Sequence, residues 1–195
     1  MNEDPDTAQT TDPPVSAPKP ATRRAASLVV VHTGDGKGKT TAAMGTVLRA
    51  LARSWRVCVV QFVKSGRWQS GEMRSLSALG AEWHAMGDGF TWDSTDLGAS
   101  ARMAQAAWEI ARDAIGSGEF DLVVLDEATY PINWNWIAEA EVIETISRRP
   151  AKVSVIVTGR DAPASLIDIA DTVSEMRNVK HAFDAGIAAK RGIDF

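Results

Sequence analysis

Short apolar runs alternate along this chain with longer segments whose apolar positions recur at helical spacing. The first run is Leu28-Val29-Val30-Val31, followed by a glycine-rich turn and a helix-like segment from Ala42 to Ala52. Val57 to Val63 predicts a second strand and Ala81 to Met86 a third. Ser100 to Ile115 carries alanine and apolar positions at helical spacing and ends at Gly116. Phe120 to Leu125 and Val153 to Val157 are apolar without alternation, as expected of strands covered on both faces. Ile137 to Ile146 reads as a helix ended by Arg148-Arg149-Pro150, Ala164 to Ala170 as a helix after Pro163, and Thr172 to Met176 as a last short strand. This order predicts an α/β fold with a mostly parallel sheet flanked by helices. In such sheets ligands sit beyond the C-terminal strand ends. The glycine turn, Gln61-Phe62-Val63-Lys64, Met86-Gly87, Asp126-Glu127 and Thr158-Gly159-Arg160 all fall there.

Residues 1–26 break the pattern. Asp12-Pro13-Pro14-Val15-Ser16-Ala17-Pro18-Lys19-Pro20 holds four prolines and little that can pack, so a disordered tail is expected before a domain of residues 27–195. The length of 195 residues suits one domain. A net charge of −4 and a pI of about 5.4 argue against a nucleic-acid partner bound through bulk positive charge. No run approaches the roughly 18 apolar residues of a membrane span, and the N-terminus lacks the basic start and apolar block of a signal peptide. Cys58 is the single cysteine; in the strand Val57-Cys58-Val59-Val60 it reads as a buried structural thiol. A cytoplasmic enzyme is expected.

The chemistry concentrates in Thr33-Gly34-Asp35-Gly36-Lys37-Gly38-Lys39-Thr40-Thr41. A strand, a glycine-rich turn and a helix in that order make a phosphate cradle, with backbone N–H groups and a helix N-terminus facing the anion. Lys39 is placed to reach phosphate oxygens and the Thr40 hydroxyl to ligate Mg²⁺, with Mn²⁺ as a substitute. Gly34, Asp35, Gly36, Lys37, Gly38 and Thr41 complete the cradle. The usual pattern wants glycine where Thr33 stands. Asp121-Leu122-Val123-Val124-Leu125-Asp126-Glu127 puts two carboxylates at the tip of a buried strand, where Glu127 and Asp126 are candidates for the same metal. Arg160, beyond another buried strand, is a candidate phosphate clamp. Lys64 has a weaker claim of the same kind. Arg49 is a candidate nucleotide contact or a solvated helix residue.

Seven tryptophans accompany one tyrosine. Trp55, Trp83 and Trp108 have the neighbours of core or helix-face residues. Trp68, Trp92, Trp134 and Trp136 stand in polar surroundings and suggest a large, flat, apolar second substrate. His84 and His181 show no metal-ligand spacing with each other or with Cys58. No catalytic base is evident.

Several blocks together resemble the P-loop type of ATP:corrinoid adenosyltransferases. They are His32 through Ala43, Val60-Gln61-Phe62-Val63-Lys64 with Trp68 and Gly71-Glu72, and Met86-Gly87-Asp88-Gly89-Phe90-Thr91-Trp92. They continue with Leu125-Asp126-Glu127, Val157-Thr158-Gly159-Arg160, Glu175-Met176-Arg177 and His181-Ala182-Phe183-Asp184-Ala185-Gly186-Ile187. The shifted glycine turn is itself the form of that family, and the resemblance spans about residues 28–195. It implies a P-loop NTPase-like fold of the RecA-like kind. It also implies a reaction in which Co(I) of a reduced corrinoid (cobalamin, cobinamide or cobyrinic acid diamide) attacks the 5′ carbon of ATP and the triphosphate leaves. Lys39 would then stabilise the leaving group. By the same resemblance Phe90 and Trp92 face the corrin and displace its lower axial ligand. An electron donor such as a reduced flavoprotein, and a homodimer, are implied too. Members often carry a charged, helix-forming N-terminal lid; the proline-rich residues 1–26 depart from that form.

Two other readings share the cradle. A small kinase or NTPase would cleave at phosphorus, but it leaves Phe90-Thr91-Trp92 unexplained. A regulatory module would bind ATP without turnover.

Overall fold

The computed structural model describes residues 24–65, 70–87 and 97–194. Six strands form one sheet in the order β3-β2-β4-β5-β1-β6. They are β1 Val29–Thr33, β2 Val57–Ser65, β3 Glu82–Gly87, β4 Leu122–Asp126, β5 Ser154–Thr158 and β6 Thr172–Glu175. Every neighbouring pair runs parallel. Parallel neighbours need crossovers, and the helices supply them. These are α1 Lys39–Leu51, α2 Gly71–Ala78, α3 Leu97–Ser117, α4 Thr129–Asn133, α5 Glu139–Ser147 and α6 Ala164–Ile169.

The period of two along each strand sorts the core into two layers. Val57, Val59, Leu122, Val124 and Ile156 face one side and pack with Met44 and Val47 of α1 and Leu76 of α2. Cys58, Val60, Val123, Leu125, Val155 and Val157 face the other and pack with Ala107, Trp108 and Ala111 of α3, Ile146 of α5 and Leu166 of α6. All five residues of β4 are buried, as the unbroken apolar run implied. The expected parallel sheet between helices is therefore found.

Two helices were not expected. The stretch that forms α2 is short and mostly polar, and only Leu76 is buried in it. What starts it is a cap: Ser70 accepts from the Met73 N–H. The sequence of α4, Thr129-Tyr130-Pro131-Ile132-Asn133, contains a proline that argues against a helix. Pro131 stands in the first turn, where no intrahelical donor is required of it. The proline-rich tail lies outside the described residues, and no described helix is long and apolar enough to cross a membrane.

The order places β5 between β1, which carries the glycine turn, and β4, which carries the carboxylates. Because all strands run the same way, both tips and the end of β5 open on one edge of the sheet.

Candidate active site

The glycine turn is shaped by the chain that leaves β6. The Met176 N–H donates to the Thr33 carbonyl at 2.8 Å, and the Gly36 N–H donates to the Met176 carbonyl at 2.6 Å. A Cβ at Gly34 would lie 2.5 Å from the Met176 oxygen, and one at Gly36 2.7 Å from the Arg177 carbonyl. Gly34 and Gly38 also have positive φ, +91° and +119°. Thr33 remains a strand residue, and its hydroxyl accepts from the Ala162 N–H at 3.1 Å. That is why glycine first appears at 34: the close backbone approach begins one residue after the strand ends. No side chain caps α1, so its N-terminus faces the cavity without an internal acceptor.

Lys39 folds back on this loop, its Nζ donating to the carbonyls of Gly34 at 2.5 Å and Gly36 at 2.8 Å. Burial lowers the pKa of the ammonium and Arg160 lowers it further, while Asp35 and Glu127 oppose them. Phosphate charge brought here would meet a cation short of compensation. Arg160 Nε lies 3.9 Å from Asp35 Oδ1. Its backbone is fastened by Thr129, whose hydroxyl donates to the Arg160 carbonyl at 2.6 Å. Gly159, at φ +147°, allows this, since a Cβ there would fall 1.9 Å from the Thr129 hydroxyl oxygen.

Asp126 is fully buried at the tip of β4 and gathers three donors. Its Oδ1 accepts from the Thr40 hydroxyl at 2.9 Å and the Thr158 hydroxyl at 2.7 Å, and its Oδ2 from Gln61 Nε2 at 2.8 Å. Gln61 Oε1 in turn accepts from Trp83 Nε1 at 3.1 Å. The Thr158 hydroxyl accepts from the Glu127 N–H at 2.9 Å. Glu127 has φ +63°, a costly conformation for a residue with a Cβ, and there the chain leaves the strand line.

These groups surround a cavity of about 390 Å³. The loop from Asp35 to Gly38, with Lys39, Thr40, Thr41, Glu127 and Arg160, lines it, together with Glu72 at the start of α2. The C-terminal segment closes the rim with His181, Phe183, Asp184 and Asp194. Lys37 Nζ and Asp194 Oδ1 are 2.8 Å apart, and the ammonium holds that carboxyl below its usual range. His181 Nδ1 accepts from the Phe183 N–H and caps a short 3₁₀ turn, Ala182–Ala185.

Of the residues singled out from the sequence, the cradle, Glu127 and Arg160 converge on this cavity, and Asp126 stands behind Thr40. Arg49 does not line it: it is exposed in the last turn of α1, about 15 Å of helix rise from Lys39. Phe90, Trp92, Trp68 and the Lys64 side chain lie outside the described residues. Trp55 is 42% exposed rather than core, because it follows the end of α1 instead of lying on its inner face. Trp134 stacks on Tyr130, with ring centroids 5.6 Å apart. His84 is revised as well. Pairing of β2 with β3 sets it and Glu82 beside Cys58, a proximity that linear spacing does not reveal. Sequence reasoning placed Gln61 and Thr158 at ligand-facing strand ends and quoted His181 to Ile187 among the family blocks, but gave none of them an individual role. The signal for the first two is a polar residue within an otherwise buried strand.

The family model for ATP:corrinoid adenosyltransferase BtuR/CobO/CobP matches residues 25–195. The corrinoid adenosyltransferase CobA of Salmonella typhimurium is 44% identical over 168 residues, 86% of this chain and 85% of that protein. The corrinoid adenosyltransferase of Escherichia coli K12 is 42% identical over the same shares. Among solved structures, the Hef helicase domain of Pyrococcus furiosus aligns with a TM-score of 0.44 at 13% identity, covering 85% of this chain and 38% of that one.

Proposed function

Because the chain belongs to the ATP:corrinoid adenosyltransferase family, we propose that its cradle holds the triphosphate of ATP as a leaving group rather than as a phosphoryl donor. The protein is a transferase that moves the adenosyl group of ATP to a corrinoid, in cobalamin biosynthesis. The observation that supports this use of the cradle is the convergence of Lys39, Arg160 and the uncapped start of α1 on one cavity. Negative charge grows on the triphosphate as the bond to C5′ breaks, and preorganised cations and N–H groups stabilise that charge. Co(I) of the substrate attacks carbon and carries no proton to remove, so the step asks for no general base.

The Thr40 hydroxyl and the Glu127 carboxylate suit Mg²⁺, a hard ion that takes oxygen ligands and few protein contacts. Asp126, with three donors on its two oxygens, orients Thr40 instead of ligating. When bound, the ion would neutralise triphosphate charge. Phe90 and Trp92 are assigned to the corrin, where they take the place of the lower cobalt ligand and make Co(II) easier to reduce. A reduced flavoprotein as electron donor, a homodimer and a cytoplasmic location complete the reading.

The test is an anaerobic reaction with ATP, Mg²⁺ and chemically reduced corrinoid. Triphosphate and the absorbance of a new Co–C bond are expected in equal amounts. Release of ADP or phosphate in step with turnover would place cleavage at phosphorus and overturn the proposal.

A further inference from the structure

We propose that Cys58, Glu82 and His84 form a binding site for a divalent transition-metal ion of the zinc class, separate from the nucleotide cavity. Strands β2 and β3 are parallel, and their register sets Cys58 opposite Glu82 and Val60 opposite His84. Alternate residues of a strand share a face, so Glu82 and His84 lie on the side of Cys58. That is the side covered by α3. One ligand atom from each residue lies within 4.8 Å of the other two. His84 Nε2 is already 2.8 Å from Glu82 Oε1. None of the three residues lines the nucleotide cavity.

The donor set selects the ion. A thiolate, an imidazole and a carboxylate suit Zn²⁺ and its neighbours and not Mg²⁺. The oxygen groups near Lys39 have the opposite preference, so the two sites would sort two kinds of metal. The charges also balance. A 2+ ion with one thiolate and one carboxylate leaves no net charge against the apolar floor made by β2. Access is from outside. The Cys58 side chain is fully buried, whereas those of His84 and Glu82 are 30% and 51% exposed. The ion would enter past the two exposed ligands, meet the thiol at the bottom and keep water in the fourth position. Binding transfers the Cys58 proton to solvent.

The core reading of Cys58 accounts for the thiol but not for a carboxylate and an imidazole on the α3 side of an edge strand. Among the described residues β3 pairs only with β2. An ion held by both strands would fasten that edge three residues before Gly87, where the chain continues toward Phe90 and Trp92.

The experiment uses the full-length, metal-free protein and free Co²⁺ as a spectroscopic probe, without corrinoid. Cys58 is the only cysteine, so any thiolate-to-cobalt charge-transfer absorption reports on it alone. Oxygen ligands near Lys39 give no such band. We expect one equivalent of Co²⁺ per chain to produce the band, and Zn²⁺ to abolish it and raise the Tm. His84→Ala and Glu82→Ala, both at partly exposed positions, should weaken Co²⁺ binding about tenfold or more. Cys58→Ala should remove the band. Absence of the band in the wild-type protein would overturn the proposal. So would a band of unchanged affinity in both His84→Ala and Glu82→Ala.

Discussion

Asp126 and Thr40, 86 residues apart, are joined by a hydrogen bond of 2.9 Å that ties the first turn of α1 to the tip of β4. The same side chain holds Thr158 and Gln61, so one buried carboxyl group fixes three elements. Asp126→Asn places an amide donor where three donors converge. Loss of a buried acceptor costs about 1–3 kcal/mol. A lower midpoint in chemical denaturation is expected, with turnover falling as well. An unchanged midpoint would mean that the network rearranges freely.

Lys39→Ala should separate function from folding. Among the described residues its ammonium bonds two loop carbonyls, and it is not part of the apolar core. Turnover at subsaturating ATP should fall about 10²–10³-fold, the usual effect of removing one preorganised stabilising group. The denaturation midpoint should stay near that of wild type. A rate close to wild type would remove this lysine from triphosphate stabilisation.

Gly36→Ala tests the docking of the cradle on the chain after β6. The added methyl would meet the Arg177 carbonyl at 2.7 Å, and backbone on both sides has little room to move. Overpacking of this kind costs about 1–3 kcal/mol. Weaker ATP binding should accompany the loss of stability, measured by calorimetry and by thermal melting. Gly45→Ala is the control, because nothing lies within 4 Å of its Cβ position and it stands within α1. That variant should be neutral or slightly stabilising.

Acid sensitivity should trace in part to His32. Its Nδ1 is buried without a hydrogen-bond partner among the described residues, and burial lowers its pKa from the ordinary 6.5. The unfolded chain therefore binds this proton more readily than the folded one. The stability is complete above about pH 6.5 and declines as the pH falls toward the depressed folded value. Between about pH 5 and 8 the Tm of the wild type should drop more on acidification than that of His32→Gln. Parallel curves would acquit the histidine.

Phe90→Ala and Trp92→Ala separate the two stages of the chemistry. If the aromatics act by displacing the lower cobalt ligand, both variants should be slow when a mild flavoprotein reduces Co(II). They should recover much of their rate when Co(I) is prepared beforehand with a strong reductant. Equal losses in the two assays would assign them to pocket shape alone.

Local sequence determined the parts of this protein that are local in their physics. The unbroken apolar runs around Val123 and Val155 announced strands buried on both faces, because both neighbours of such a strand exclude water. The order strand, glycine turn, helix announced a phosphate cradle, because its donors are backbone groups of consecutive residues. That Lys39, Thr40, Glu127 and Arg160 share one cavity follows from the same cause, each standing at the end of a readable element. The missed helices are those whose start depends on a single side chain or position, the Ser70 cap for α2 and first-turn Pro131 for α4.

Tertiary structure decided what lies between elements. Nothing in the spacing of residues 33–38 states that Met176 and Arg177 will press on Gly34 and Gly36, because that contact exists only once β6 has paired with β1. The division of labour at the β4 tip has the same origin. Asp126 and Glu127 are adjacent carboxylates in sequence, and only the arrival of Thr40, Thr158 and Gln61 from three other elements buries one while the other lines the cavity. The helix rise carries Arg49 away from the turn that precedes it and leaves it exposed in the last turn of α1. Cys58 gained Glu82 and His84 as neighbours through strand register, which depends on how two separately formed strands align and leaves no periodic trace in either one.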